Sequence, residues 1–402
     1  MSRILLAWEL GTGFGHLGPF LGLATRLLER GHELHVAARE IVAADKALKG
    51  MPITLHQAPL CLNTYRGLQE PPLNYAEILM RFGYLEPEML RAMLAAWRAL
   101  IRTTGADVLV ADHAPTALLA ARGLGVARAV IGSPFNVPPA ANPTPGMRPW
   151  LSVPTPRLAD SDRRVLEVIN SVVPGVERLG ALHEIFSGCA RFFSGVPELD
   201  PHGARNADDY LGLQSLSTGS DLPAWPTEGG AQVFAYLHAD YRHLERALQA
   251  LATSKARVLV HVLGGNAALE QRFRGASLSF APQLLDFTRV VAECTLCVCH
   301  GNVGTTLGML QGGRPVLVLP KHLEHFLLGR AVERSGAGRV IDPDETEPDI
   351  AAALQRMLAD PAYAQQARTL AGRYSGESVG TMTDRAASRL EALAAQAAGI
   401  RK

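Results

Sequence analysis

The sequence predicts an α/β chain built as two Rossmann-like domains, and three stretches carry that prediction. At the N-terminus, RILLAW, GTGFGHLGP, FLGLATRLLERG and HELHVAAR read in order as strand, glycine loop, amphipathic helix and strand. QVFAYLHAD, LERALQAL and ARVLVHVLGG repeat strand, helix and strand from Gln232 onward. The third stretch runs from Cys297 to Arg330, CVCHGNVGTTLGMLQGGRPVLVLPKHLEHFLLGR. It reads as a buried strand, a turn of small residues, a helix broken at Gly312 and Gly313, and a second buried strand, PVLVLP.

Length and charge bound the function classes. A chain of 402 residues has room for two domains of ordinary size, each burying roughly 70% of its unfolded surface. With 39 basic against 38 acidic residues, no electrostatic case exists for a nucleic-acid or general membrane partner. The apolar run Ile4 to Trp8 is stopped by Glu9, and no stretch approaches the roughly 18 residues of a membrane span, which leaves peripheral association as the only membrane contact to consider. The expectation is a chain that starts at Met1 and works in the cytoplasm. Five cysteines, an odd count, suit a reducing compartment.

The N-terminal glycine loop departs from the dinucleotide fingerprint. His16 stands where that fingerprint needs glycine, and the second strand ends in Arg39 with no acidic residue, so a nicotinamide cofactor is disfavoured. GADVLVADHAPTALLAARGLGVARAVIGSPFN reads as strand, loop, helix and strand, with Asp112 at the carboxyl end of its strand. In a parallel sheet that is the same edge as His16. An orienting carboxylate is what a general-base histidine needs. The plainer alternatives are a capping or solvated loop histidine for His16 and a helix N-cap for Asp112, and His113 is a rival imidazole.

Gly301, Asn302 and Gly304 form the turn after CVCH, and Thr305 and Thr306 stand where the next helix begins. Such a turn bares backbone N–H groups at a positive helix end, a seat for a phosphate or diphosphate. Glu324 and His325 reach the same rim beyond PVLVLP, where open α/β sheets bind ligands, so a nucleotide is expected there. In order, the chain offers Phe280-Ala281-Pro282-Gln283, then His300-Gly301-Asn302-Val303-Gly304-Thr305-Thr306, then Gly313-Arg314-Pro315, then Glu324-His325. This order resembles the donor-binding segment of the GT-B nucleotide-sugar glycosyltransferases, which include the UDP-glycosyltransferases and the macrolide glycosyltransferases. Their pattern runs W-x-P-Q, H-x-G-x-x-[ST], G-x-P, then an acid followed by Gln. Phe280 replaces the tryptophan that stacks on the base, Asn302 stands where a second glycine is common, and His325 replaces the glutamine.

The resemblance implies two facing Rossmann-like domains of GT-B type with a cleft between them. The N-terminal acceptor domain would span 1–215, a Pro/Gly/Ser-rich linker 216–230, and the nucleotide-sugar domain 231–379, with a terminal helix in 380–402 crossing back to the first domain. It implies transfer of a sugar from UDP or dTDP to a hydroxyl of a small, apolar acceptor, with inversion and without a metal cofactor. His16 and Pro19 match the family's G-H-x-x-P, in which the histidine is the general base and an aspartate, here Asp112, holds its tautomer. Phe280, Gln283, His300, Gly301, Asn302, Gly304, Thr305, Thr306, Glu324 and His325 would bind the donor. His325 in place of glutamine points away from plain UDP-glucose and toward a deoxysugar. Two other readings stay open: a nucleotide-sugar 2-epimerase, and a non-catalytic nucleotide-binding relative that serves as a partner subunit.

Between these motifs the chain says less. Residues 65–103 read as amphipathic helix, with Met89, Met93 and Trp97 as core or pocket wall. Residues 134–160 are proline-rich and read as an irregular loop flanking the acceptor side. The relatives carry an S-x-G-S turn that touches phosphate after the first strand of the second domain. His238-Ala239-Asp240 stands there instead, and its carboxylate repels a diphosphate unless a cation or His238 intervenes. Cys294, Cys297, Cys299 and His300 alternate along an apolar strand whose side chains face opposite ways, which disfavours zinc. Gly376 to Gly380, GESVG, matches a hydrolase elbow, but no histidine follows His325 to complete one.

Overall fold

The computed structural model describes residues 1–213, 219–376 and 379–400. They form two compact units, Met1–Phe193 with the residues from Thr383 onward, and Ser194–Met382. The stretch 216–230 begins outside the described residues. From Gly219 it belongs to the second unit, where Asp221 bridges Leu285. Glu377 and Ser378 of the GESVG run also lie outside the described residues.

The first unit holds a parallel sheet of β1 (Arg3–Trp8), β2 (Glu33–Ala38), β3 (Ile53–Gln57), β4 (Val108–Asp112), β5 (Ala127–Gly132) and β6 (Ala190–Phe193), in the order β3-β2-β1-β4-β5-β6. The strands are near-continuous apolar runs because helices cover both faces of a parallel sheet. The helix Gly18–Glu29 buries Phe20, Leu23, Ala24 and Leu27 at helical spacing. The longer helix Pro87–Thr104 does the same with Leu90, Met93, Leu94, Trp97 and Ile101, and ends at Gly105 in the left-handed region. Trp97 and Met93 are therefore core. The helix Thr155–Val172 begins inside the stretch read as irregular loop, because its prolines occupy the first turn, where a missing N–H costs nothing.

The C-terminal helix Val379–Ile400 places Asp384 and Glu391 two turns apart on one face. Asp384 pairs with Arg26 and Arg30, and Glu391 pairs with Arg30 and His32, all at 2.7–3.0 Å. Those partners sit at the end of the first helix and just beyond it, which ties the C-terminal residues to the first unit.

The second unit repeats the same strand order. It comprises β7 (Gln232–His238), β8 (Arg257–Leu263), β9 (Leu278–Phe280), β10 (Leu296–Cys299), β11 (Val316–Val318) and β12 (Gly338–Val340), arranged β12-β11-β10-β7-β8-β9. Alternate residues feed two cores: Leu296 and Val298 pack on one face, and Cys297 and Cys299 join Cys294 on the other, so these cysteines share a face instead of facing opposite ways. In each unit the order reverses direction between two central strands, β1 and β4 in the first, β7 and β10 in the second. The crevice beyond the carboxyl ends at such a switch point is where open α/β sheets take ligands.

Candidate active site

In the first unit, Trp8 and Asp112 are register partners at the carboxyl ends of β1 and β4. The loop leaving β1 carries His16 back over that edge in a 3-10 turn, Phe14–His16, immediately before the helix Gly18–Glu29. His16 Nδ1 lies 3.3 Å from Asp112 Oδ2, with side chains 14% and 2% exposed. With the carboxylate ionised, Nδ1 is the donor, which sets the tautomer whose lone pair is on Nε2. Asp112 Oδ1 accepts a further hydrogen bond from Asn136 Nδ2 at 3.2 Å, and the Trp8 ring stacks on the imidazole at 5.3 Å.

Two glycines make the approach feasible. A Cβ on Gly11 would lie 2.1 Å from His16 Nε2, and one on Gly132 would lie 2.8 Å from Asp112 Oδ1. Both have φ in the left-handed region, +78° and +97°, which other residues adopt only at a cost.

Behind the pair, Glu9 is fully buried and accepts from the Thr116 amide at 3.0 Å and its hydroxyl at 2.5 Å. Burial pushes its carboxyl up to about 7 against the pull of those bonds. His113, the rival imidazole, sits at φ 44° with Nε2 buried and unpartnered, and burial holds it down to about 3. A ring that stays neutral and enclosed is poorly suited to take a proton from a substrate.

In the second unit, His300 ties three strand ends together. Its Nε2 accepts from the His238 backbone N–H at 2.9 Å and its Nδ1 donates to Leu319 O at 2.6 Å. The ring is 0% exposed, and burial lowers it to about 4. Beyond it, Gly301 turns at φ 89°, with no room for a side chain against His325 O, and the helix Val303–Gln311 starts after Asn302. Gly304 opens on empty space. Thr306 is buried, its hydroxyl 3.7 Å from Cys299 Sγ.

Glu324 stands half-buried in the first turn of the helix Leu323–Arg334. His325, next to it, is turned inward: its ring packs on His322 at 3.6 Å, its Nδ1 is buried without a partner, and burial pushes it down to about 2. Phe280 closes β9 as a core side chain with Arg274 5.7 Å over its ring, and Gln283 is exposed. Among the described residues no cluster of His, Cys, Asp and Glu could hold a metal ion.

Comparison with known proteins finds relatives of the chain. Residues 281–383 match the Erythromycin biosynthesis protein CIII-like C-terminal domain. A PGL/p-HBAD biosynthesis glycosyltransferase of Mycobacterium tuberculosis is 25% identical over 94% of this chain and 90% of its own length. The glycosyltransferase of kitacinnamycin superposes at a TM-score of 0.69 with 20% identity, covering 98% of this chain and 99% of that one. The glycosyltransferase VinC, solved in complex with dTDP, gives a TM-score of 0.67 with 18% identity over 98% of this chain and 100% of its own. The chain is similar to the GT-B nucleotide-sugar glycosyltransferases. It is a sugar-transferring enzyme built on their α/β fold.

Within the GT-B pattern, the structure sorts the expected residues into two sets. His16 and Asp112 meet, although 96 residues apart. Gly301, Asn302, Gly304, Thr305 and Glu324 gather at the carboxyl rim of the second sheet. His300, Thr306, His325 and Phe280 point into packing, and His300 has no ring N–H left to offer a phosphate. Sequence reasoning also missed a residue. Lys321 Nζ lies 2.5 Å from Asp240 Oδ1 and 3.2 Å from His238 Nδ1, so the repulsive carboxylate expected near a diphosphate is paired with a cation. The signal was present as the residue after Pro320, but its partners lie more than 80 residues upstream.

Proposed function

We propose that this enzyme moves a sugar from a nucleoside diphosphate, UDP or dTDP, to a hydroxyl of a small, apolar acceptor in one inverting displacement that needs no metal. The observation that carries the reading is the His16–Asp112 contact at the switch point of the first sheet. His16 Nε2 takes the acceptor's proton as the oxygen attacks the anomeric carbon; Asp112 fixes the tautomer and stabilises the imidazolium that results. As the anomeric bond to the diphosphate breaks, the backbone amides from Gly301 to Thr305 stabilise the charge that develops, as helix-end donors do without a metal. Glu324 accepts hydrogen bonds from hydroxyls of the donor sugar. VinC's complex with dTDP supports the choice of nucleotide.

The test is incubation of the full chain with UDP- and dTDP-sugars, with and without a panel of apolar alcohols and phenols, in the presence of a chelator. The expected product is a glycoside of inverted anomeric configuration formed only when an acceptor is present. Retention of configuration contradicts the single displacement. An epimerised donor formed without any acceptor supports the epimerase reading instead.

A further inference from the structure

The sheet order gives Lys321 a position that its sequence neighbours do not reveal. β10 lies between β11 and β7, and it is the strand that leads into the Gly301–Thr305 turn. Lys321 follows β11 and Asp240 follows β7, so their 2.5 Å ion pair spans the carboxyl end of β10. One layer below, His300 spans the same three strands through its bonds to the His238 amide and the Leu319 carbonyl. The lower tie is buried and saturated. The upper one is open on its acidic side, with Lys321 20% and Asp240 75% exposed.

We propose that Lys321 binds the diphosphate of the donor, and that Asp240 is a resting counter-ion which the diphosphate replaces. The inference rests on the nucleotide-sugar reading above. A side chain that reaches across the end of β10 holds its ammonium where the turn's amides face a ligand, and it adds a full charge to a seat otherwise made of partial ones. Asp240 holds Lys321 through one exposed carboxylate, and exposed pairs of this kind are held weakly. A diphosphate carries more charge and more acceptor oxygens than that single carboxylate, so it wins the competition. His238 accepts from the same ammonium through Nδ1 at 3.2 Å, which keeps the lysine stem aimed along the rim when Asp240 is displaced. Burial and the neighbouring ammonium both hold that imidazole in its neutral, accepting form.

This arrangement makes the two partners act in opposite directions, which a merely structural ion pair does not. The experiment is calorimetric titration of the full chain with UDP, dTDP, inorganic pyrophosphate, and the phosphate-free nucleosides uridine and thymidine. Lys321→Met keeps the aliphatic stem and removes the charge. It is expected to weaken whichever nucleoside diphosphate the wild type binds by about 10- to 100-fold, the worth of a charge-assisted hydrogen bond. Asp240→Asn is expected to tighten the same ligand, because the competitor for Lys321 is gone. Nucleoside affinity is expected to stay unchanged in both variants. Equal diphosphate affinity in Lys321→Met and wild type overturns the role of Lys321 while leaving the donor reading intact, and so does weakening by both variants together or a parallel loss of nucleoside binding. A wild type that titrates with neither UDP nor dTDP sinks the donor reading, and this inference with it.

Discussion

The two units share one strand order and each places a histidine at the carboxyl edge of its switch point, yet the two rings are held in different ways. His16 sits on a loop, leans one nitrogen on a carboxylate and holds the other beside Gly11. His300 sits on a strand end and spends both nitrogens on backbone groups of the flanking strands. A hydrogen-bonding capacity that is filled internally cannot be offered to a substrate. What surrounds a ring thus decides which groups it can serve, and the same topology supports either setting.

The sharpest way to break that comparison is to remove each ring and measure stability. His300→Ala leaves the His238 N–H and the Leu319 carbonyl buried without partners, so urea unfolding is expected to show a loss of about 3 kcal/mol. His16→Ala leaves Asp112 held by Asn136 and is expected to cost less, about 1 to 2 kcal/mol. Similar losses for both would mean that His16 is also a structural tie.

Acid should separate the units next. His300 and His325 are buried at about 4 and about 2 in the second unit, and His113 at about 3 in the first. Each is lowered from 6.5, so the stability it contributes is full above that value and is lost as pH falls toward its folded value. Glu9 in the first unit runs the other way. Raised from 4.5 to about 7, its contribution is full below 4.5 and is lost as pH rises through 7. One protonating acid in the first unit offsets part of its histidine penalty, so hydrogen exchange at pH 5 is expected to open the second sheet before the first. Glu9→Gln should remove about 3 kcal/mol of pH dependence between those limits, read from unfolding at pH 4.5 and pH 8. An unchanged slope would show that Glu9 ionises freely.

Smaller effects test the donor rim. Phe280→Leu keeps the core filled but loses the aromatic face, and nucleotide binding should weaken by about 1 kcal/mol if the ring also stacks on a base. No change would leave Phe280 as core alone. His325→Gln exchanges a ring that packs on His322, so the ratio of activity on UDP-glucose to that on dTDP-rhamnose should barely move. A clear shift toward glucose would show that the side chain turns out to meet the sugar.

The architecture was legible because it rests on local pattern: apolar runs, helix-spaced Leu and Ala, and glycines at turns, all within single elements. The pairing of His16 with Asp112 was legible for a related reason, since both lie at strand ends that a parallel sheet brings to one edge. What the sequence hid is long-range hydrogen bonding. His300 matches a donor motif by position, but its partners Leu319 and the His238 amide decide its role, and neither is marked by residue type. Lys321 was overlooked and Asp240 was read as an obstacle because the pair forms only when β7 and β11 flank β10. The inward turn of His325 depends on His322, whose ring it packs against in place of solvent.

The central claim is that the first unit's edge performs proton transfer while the second unit's edge holds the nucleotide. Single-turnover transfer and nucleotide affinity measured side by side on His16→Ala test it most directly. The account predicts a rate lower by a factor of about 100 to 10,000, the usual worth of a general base, with the dissociation constant for UDP or dTDP unchanged and a milder loss in Asp112→Ala. A His16→Ala enzyme that turns over at the wild-type rate would contradict it.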